Sequence, residues 1–294
     1  MTSEARDMTN ADERFESGAP AYAAYLQSVE GRMRLDIAWE NFLSLINETN
    51  AAQTQFDTRS TRAEETMRVL DLGGGTGALA LRFAALGWHA SIVDPSATML
   101  SLAADAAREQ GLTERITCHH TAAERARELF APQTFDACLC HNVLEYVSDP
   151  RAAVHALAAL VRAGGLVSLV ARNRAGEAMR AALKAHDLDE AERTLTADVV
   201  NESLYGGPAR LFDAQSLREL ATEAGMNVVA VRGVRVVTDY LPASLSDTSE
   251  TYARLLAFER TLGARPEFAG VARYTQLIAR VPEDTATATG RGSS

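Results

Sequence analysis

A glycine-rich segment beside a carboxylate is the feature of this sequence that most directly suggests chemistry. Asp71 ends a short apolar run, and four glycines follow before a helical pattern begins: Gly73, Gly74, Gly75 and Gly77. Glycine allows positive φ angles and lets the backbone approach a ligand closely. The free amides at the start of the helix would favour an anionic group. Without a ligand, the same segment would be only a tight turn.

A second carboxylate, Asp94, ends the next apolar run, where an acid would bind the two hydroxyls of a ribose. The spacing of Gly73, Gly75 and Ala78 also matches the dinucleotide fingerprint, so a nicotinamide oxidoreductase fits these residues too. Asp71 favours a different ligand, because its charge would repel a pyrophosphate and attract a cationic amino group. S-adenosylmethionine has such a group, a ribose and no phosphate. The segment therefore predicts S-adenosylmethionine as the cofactor.

The elements that must position these residues alternate between short apolar runs and amphipathic helices. Strands are predicted at 67–72, 90–94, 116–119, 135–140, 166–172, 226–231 and about 273–280. Helices are predicted at 78–86, 97–110, 124–130, 151–161, 213–224 and 248–262. This alternation is typical of an α/β fold with a doubly wound, mostly parallel, seven-stranded, Rossmann-like sheet that is covered by helices on both faces.

The remaining segments suggest how the chain is organised around that sheet. Residues 1–20 lack hydrophobic periodicity and predict a disordered tail. Residues 21–66 predict an N-terminal helical cap that ends in a polar linker. The main domain then spans 67–281, with a helical insert at 173–210 where the alternation lapses. The tail at 282–294 is rich in Thr, Ala and Gly and predicts disorder.

Composition excludes several classes of protein. The 294 residues carry a formal net charge of −10, which excludes a broad basic nucleic-acid surface but leaves room for a local basic patch. No apolar run reaches the ~18 residues of a membrane span, and the polar, acidic N-terminus predicts no signal peptide. Three cysteines fit a reducing cytoplasm. Cys138 and Cys140 share one face of a predicted buried strand, which predicts apolar packing and no metal site.

Two later segments would complete a cofactor site. Ala123 and Glu124 follow the third predicted strand, where they would border an adenine. The fourth strand runs into a loop that begins with His141, which could serve as a base or line the cofactor site; we favour the second role. With these segments, the chain resembles the class I S-adenosylmethionine-dependent methyltransferases from residue 67 to 172 and again in the closing strands.

Within that superfamily, several stretches resemble the tRNA 5-carboxymethoxyuridine methyltransferases, which esterify the carboxylate of a modified wobble uridine. The matching segments are 31–39, 141–150, 233–241 and the pair Arg273-Tyr274. The resemblance implies that the cofactor is lined by Arg34, Gly73, Gly74, Asp94, Ala123, Glu124 and His141. It also implies tRNA as the partner, although the stretch 188–193 is less basic than the family's inserts, and phosphate contacts usually supply much of the affinity for RNA.

A carboxylate acceptor would be ionised at neutral pH, so it would need a cation to hold it rather than a base to deprotonate it. Guanidinium groups suit carboxylates, and the candidates are Arg34, Arg172, Arg235 and Arg273. Tyr240 is a candidate for stacking on a base.

Other functions remain open from the sequence. One is a methyltransferase for a small-molecule carboxylate, hydroxyl or amine, with the insert as its lid, which the acidic charge favours. Another is a regulatory protein that binds S-adenosylmethionine without turnover. The sequence makes no prediction about oligomeric state.

Overall fold

The computed structural model describes residues 3–56, 66–202 and 204–283. Its strands are β1 (Arg68–Leu72), β2 (His89–Asp94), β3 (Ile116–His120), β4 (Phe135–His141), β5 (Val161–Arg172), β6 (Val199–Glu202), β7 (Gly207–Arg210), β8 (Asn227–Val234) and β9 (Tyr274–Arg280). Seven of them form one sheet in the order β3-β2-β1-β4-β5-β9-β8. The strands from β1 to β5 are parallel, and β9 runs antiparallel between β5 and β8. The predicted seven-stranded, mostly parallel sheet is confirmed.

The strand order reverses between β1 and β4, since β2 and β3 extend the sheet on one side and β5 on the other. In open α/β sheets, ligands bind in the crevice beside such a switch point, at the carboxyl ends of the strands. The glycine segment follows β1 and therefore lies at this crevice.

Helices cover both faces of the sheet. The helices of the described residues are α1 (Ser3–Gln27), α2 (Val29–Phe56), α3 (Ala78–Ala85), α4 (Ala97–Glu109), α5 (Ala126–Leu129), α6 (Pro150–Leu160), α7 (Arg174–Leu183), α8 (Leu188–Thr196), α9 (Ala214–Glu223), α10 (Ser249–Gly263) and α11 (Pro266–Ala269). Of these, α1 and α7 lie over the carboxyl ends of the strands. Alternate residues of β1 enter different cores, as the two-residue period of a strand requires: Leu70 packs on the side of α6 and α9, and Val69 on the side of α3. Cys138 and Cys140 are buried in the first of these cores.

The N-terminal helices differ from the prediction. Residues 3–27 form α1, so the disordered tail predicted for 1–20 is wrong from residue 3 onward, and α2 occupies 47–56, where a linker was predicted. Within the predicted tail, Arg14 and Phe15 of α1 line the cavity described below. Residues 1–2, 57–65, 203 and 284–294 lie outside the described residues. They include part of the linker predicted at 47–66 and most of the second predicted tail.

The insert at 173–210 holds more than helices. It contains α7 and α8, as predicted, but also the hairpin of β6 and β7, which the sequence did not predict. Gly206 and Gly207 form its turn at φ angles of 68° and 107°, which glycine adopts readily. Among the described helices, none is both long and apolar enough to cross a membrane.

Candidate functional site

A cavity of about 1190 Å³ opens at the carboxyl ends of the parallel strands. Its floor comes from residues that end or follow β1 to β5 and β8, and its cover from α1, α7 and the hairpin. Pockets for one small molecule are usually ~300–1,000 Å³, so this cavity has room for two ligands. The lining includes the following residues predicted from sequence: Arg34, Gly73, Gly75, Asp94, Ala123, Glu124, His141, Arg172, Arg235 and Arg273.

The glycine segment bends sharply where it meets the cavity. Gly73 and Gly75 have φ angles of 66° and 53°, which L side chains rarely adopt. A Cβ atom on Gly73 would lie 2.2 Å from Cγ2 of Val143, so only glycine fits there. Gly74 packs on the carboxyl group of Asp71, and Gly77 caps α3 at a φ of 71°. Gly73 and Gly75 thus bring backbone to the cavity, while Gly74 and Gly77 serve close packing behind it.

The two predicted carboxylates occupy different positions. Asp94 is 7% exposed; its Oδ2 accepts a hydrogen bond from the amide of Gly75 at 2.9 Å, and its Oδ1 accepts one from the amide of Ser96 at 2.9 Å. Asp71 lies beneath the loop and lines a smaller cavity beside Gly74 and His141. Burial raises the pKa of Asp71 to about 7, and a bound cation would lower it again. These two carboxylates, which accept hydrogen bonds and attract cations, fit a ligand with a ribose and a cationic group.

His141 is placed to line the cavity rather than to take a proton. Its Nε2 lies 2.8 Å from Oγ of Ser168, and that hydroxyl accepts a hydrogen bond from Nε2 of Gln276 at 3.0 Å. Burial, and after it the charge of Arg34, lowers the pKa of His141 to about 3. The ring is therefore neutral, and its Nε2 already has a partner.

Four guanidinium groups surround one buried phenol. The Cζ atoms of Arg34, Arg172, Arg235 and Arg273 lie between 5.7 and 5.9 Å from the ring centre of Tyr274. Burial by itself would raise the pKa of Tyr274, but the positive charges outweigh it and lower the pKa to about 8. We call the four side chains the arginine cluster. Arg172 ends β5, Arg235 follows β8, Arg273 precedes β9 and Arg34 lies in α2. The ends of these strands meet at one edge of the sheet, which brings the arginines together.

Three carboxylates pair with guanidinium groups of the arginine cluster, and Oε1 of one of them, Glu202, lies 3.6 Å from Nη2 of Arg172. Glu177 pairs with Arg172, whose Nη1 lies 2.6 Å from Oε1, and also with Arg273. Asp239 pairs with Arg235, whose Nη1 also donates to the hydroxyl of Tyr25 at 2.8 Å.

Three buried N–H groups of the cluster lack an acceptor within the described part of the chain, namely those on Nε of Arg34, Arg172 and Arg235. A buried donor without a partner is costly. All four arginines line the cavity, so an anion that entered it would meet their guanidinium groups.

The structure also shows what the sequence did not identify. Tyr240 is half-buried on a 3₁₀ turn and does not line the cavity, whereas its neighbour Asp239 does. Cavity residues without an assigned role in the sequence include Arg14, Phe15, Tyr22, Tyr25, Asn142, Tyr146, Tyr205 and Tyr274. Asn142, Tyr146 and Tyr274 carried a signal, since they lie in the matching segments.

Comparisons with known proteins agree with this geometry. The profile of the family described as "Methyltransferase domain" matches residues 46–231. The chain is 29% identical over 264 residues to the tRNA 5-carboxymethoxyuridine methyltransferase of Escherichia coli K12, covering 87% of this chain and 91% of that protein. It is also 37% identical over 144 residues to the ubiquinone biosynthesis O-methyltransferase of Parvibaculum lavamentivorans, but that match covers 49% of this chain and 53% of the relative.

The fold has a solved counterpart. The crystal structure of an S-adenosylmethionine-dependent methyltransferase from Thermotoga maritima aligns with a TM-score of 0.55 at 16% identity, covering 92% of this chain and 99% of that one. At this identity the likeness concerns the fold alone.

Proposed function

The chain belongs to the methyltransferase-domain family and is an S-adenosylmethionine-dependent enzyme, and we propose that it esterifies the carboxylate of 5-carboxymethoxyuridine at the wobble position of tRNA. The E. coli relative that is similar along most of both chains bears the name of this activity. Bound S-adenosylmethionine supplies the methyl group, which its sulfonium releases to a nucleophile in line. The compartment that we propose is the cytoplasm.

The observation that carries the proposal is the arginine cluster, which lines the same cavity as the glycine segment. Arginine forks bind carboxylates through charge-assisted hydrogen bonds. A hydroxyl or amine acceptor would gain little from four positive charges and would need a base. The neutral His141, whose Nε2 is engaged by Ser168, is poorly suited to that task.

The chain's contribution would be orientation rather than covalent chemistry. Gly73, Gly75 and Asp94 would hold the cofactor on one side of the cavity, with Asp71 nearest its cationic group. The acceptor carboxylate is ionised at neutral pH, and Arg172, Arg235 and Arg273 are proposed to hold it. Alignment of two bound reactants lowers a barrier by several kcal/mol, up to ~7–11 kcal/mol in the best-oriented systems.

The test is transfer of a labelled methyl group from S-adenosylmethionine to bulk tRNA that carries 5-carboxymethoxyuridine, followed by mass spectrometry of the nucleosides. The expected product is a new methyl ester that is absent when the tRNA lacks the modification. Binding of S-adenosylmethionine without any methylation of this tRNA would refute the proposed acceptor.

A small-molecule carboxylate is the second candidate, and the charge of the insert favours it. The first turn of α8 and its cap carry Asp187, Asp189 and Glu190, and the whole chain has a net charge of −10. RNA phosphates would be repelled by this surface. If tRNA is not methylated, a screen of small carboxylic acids with the same label is expected to give the acceptor.

A further inference from the structure

Four aromatic side chains line the cavity on the side away from the sheet, and the function proposed above leaves them without a role. Phe15 and Tyr22 come from α1, Tyr146 from the loop after β4, and Tyr205 from the turn between β6 and β7. We call them the aromatic cluster. All four are half-buried, so part of each ring surface faces the cavity instead of a core.

The rings contact one another in a way that a planar guest could exploit. Tyr22 and Tyr205 are nearly parallel, with 28° between their planes and 5.8 Å between their centres. Phe15 meets Tyr205 edge-on at 5.1 Å and Tyr146 at 5.2 Å. Aromatic planes stack at a contact distance of ~3.5 Å between carbon atoms. A planar guest in the cavity could therefore stack on the part of a ring face that lines it, without entering between Tyr22 and Tyr205.

The aromatic cluster is joined to the arginine cluster at two points. The hydroxyl of Tyr22 accepts a hydrogen bond from Nη2 of Arg34 at 2.9 Å. At the other point, Glu202 connects the two clusters. Its Oε2 accepts a hydrogen bond from the amide of Tyr205 at 2.8 Å, and its Oε1 lies 3.6 Å from Nη2 of Arg172. The cavity therefore offers a cationic end and an aromatic end at a fixed relation to each other.

We propose that the aromatic cluster is a stacking subsite for the planar ring that bears the acceptor carboxylate, with Tyr205 as its specificity-determining residue. The subsite rests on the carboxylate acceptor proposed above, because the arginine cluster holds that end of the molecule. It selects a carboxylate carried by a flat ring over one without a ring. Stacking of a base on an aromatic side chain is worth ~1–3 kcal/mol, which corresponds to roughly 5- to 150-fold in affinity.

The test compares phenoxyacetate, which has a ring beside its carboxymethoxy group, with methoxyacetate, which has none. Binding of each acid to the protein loaded with S-adenosylhomocysteine is measured by calorimetry for the wild type, Tyr205→Ala and Tyr205→Phe. Phe258→Ala, at a ring that is 52% exposed on α10, is the matched control. Phenoxyacetate is expected to bind roughly 5- to 150-fold more tightly in the wild type, Tyr205→Phe and the control, and no more tightly in Tyr205→Ala.

Three results would overturn the subsite: equal binding of the two acids by the wild type, an unchanged preference in Tyr205→Ala, or no binding of either acid. A loss of S-adenosylhomocysteine affinity in Tyr205→Ala at unchanged acid preference would instead assign the rings to the cofactor. Methylation of tRNA is measured separately with the same proteins. If only the methylation of tRNA fails, the wobble uridine is refuted as the acceptor, but the proposed stacking subsite is not.

Discussion

Ionisation of Tyr274 should control acceptor binding in the alkaline range. Its pKa of about 8 means that the phenol is about one-tenth ionised at pH 7 and about nine-tenths ionised at pH 9. The phenolate would neutralise the same guanidinium groups that the acceptor carboxylate needs. We therefore expect raising the pH from 7 to 9 to weaken acceptor binding, while the acceptor itself remains ionised throughout.

The lowering of the pKa of Tyr274 follows from the distances between its ring and the four guanidinium groups. At an effective dielectric constant of ~20, a negative charge at the ring centre is attracted by about 3 kcal/mol to each guanidinium, whose Cζ lies 5.7–5.9 Å away, before the cost of burial. The sum of these attractions exceeds the burial penalty, which is why the pKa falls. If the acceptor binds only the protonated form, its KM should rise about twofold by pH 8 and about tenfold by pH 9.

The assay is KM for the acceptor against pH at saturating S-adenosylmethionine, together with the ultraviolet absorbance of tyrosinate. Few other groups titrate in this range, since Lys184 is the single lysine and burial raises the pKa of Cys138 and of Cys140. Tyr274→Phe should give a flat KM profile and remove the first tyrosinate transition. Tyr252→Phe is the control, because burial and Asp36 raise the pKa of Tyr252.

The same ionisation has a consequence for stability, with a definite sign. The pKa of Tyr274 is lower in the folded protein than the ordinary value of 10, so the folded state releases its proton first. The free energy of unfolding should gain up to about 3 kcal/mol from this group as the pH rises from 8 to 10, and lose it as the pH falls through 8. If Tyr274→Phe and the wild type show the same pH dependence of both KM and unfolding, the reasoning is wrong.

Three further predictions concern the cofactor side of the cavity. Gly73→Ala should lower the free energy of unfolding, measured with denaturant, by ~1–3 kcal/mol more than Gly111→Ala does. Both glycines have a φ near 66–69°, but only a Cβ on Gly73 would lie 2.2 Å from another atom. Equal losses would show that backbone strain alone matters. Asp94→Asn should weaken S-adenosylmethionine binding in calorimetry by roughly tenfold to a hundredfold through the loss of a charged hydrogen bond, and the exposed Asp105→Asn should leave it unchanged. Glu16→Ala should speed proteolysis within α1 and dissociation of S-adenosylmethionine. Glu16 accepts hydrogen bonds from the hydroxyl of Ser96 at 2.6 Å and from the amide of Thr98 at 3.2 Å, and these bonds tie α1 to the start of α4. An unaltered cleavage rate would show that they do not hold α1 in place.

Much of the fold could be predicted because its signals are local. The β1 strand, predicted at 67–72, is Arg68–Leu72, and the helix predicted at 78–86 is Ala78–Ala85. Apolar periodicity, glycine positions and caps lie within a few residues of the elements that they specify. The prediction failed for residues 3–20 of α1, where Arg14 and Phe15 line the cavity. It also failed for the hairpin of β6 and β7, whose strands have only four residues each.

The candidate site also combines features that the sequence predicted with features that it did not. The sequence by itself determined the sheet, the glycine segment and the positions of Asp71 and Asp94, because each depends on residues adjacent in the chain. Only the tertiary structure decided which arginines meet at Tyr274, which one of two neighbours, Asp239 or Tyr240, faces the cavity, and which aromatic rings cover it. These outcomes depend on contacts between segments up to about 240 residues apart, from Arg34 to Tyr274. Such contacts are fixed by the packing of helices and strands on one another and leave no periodic pattern in the sequence.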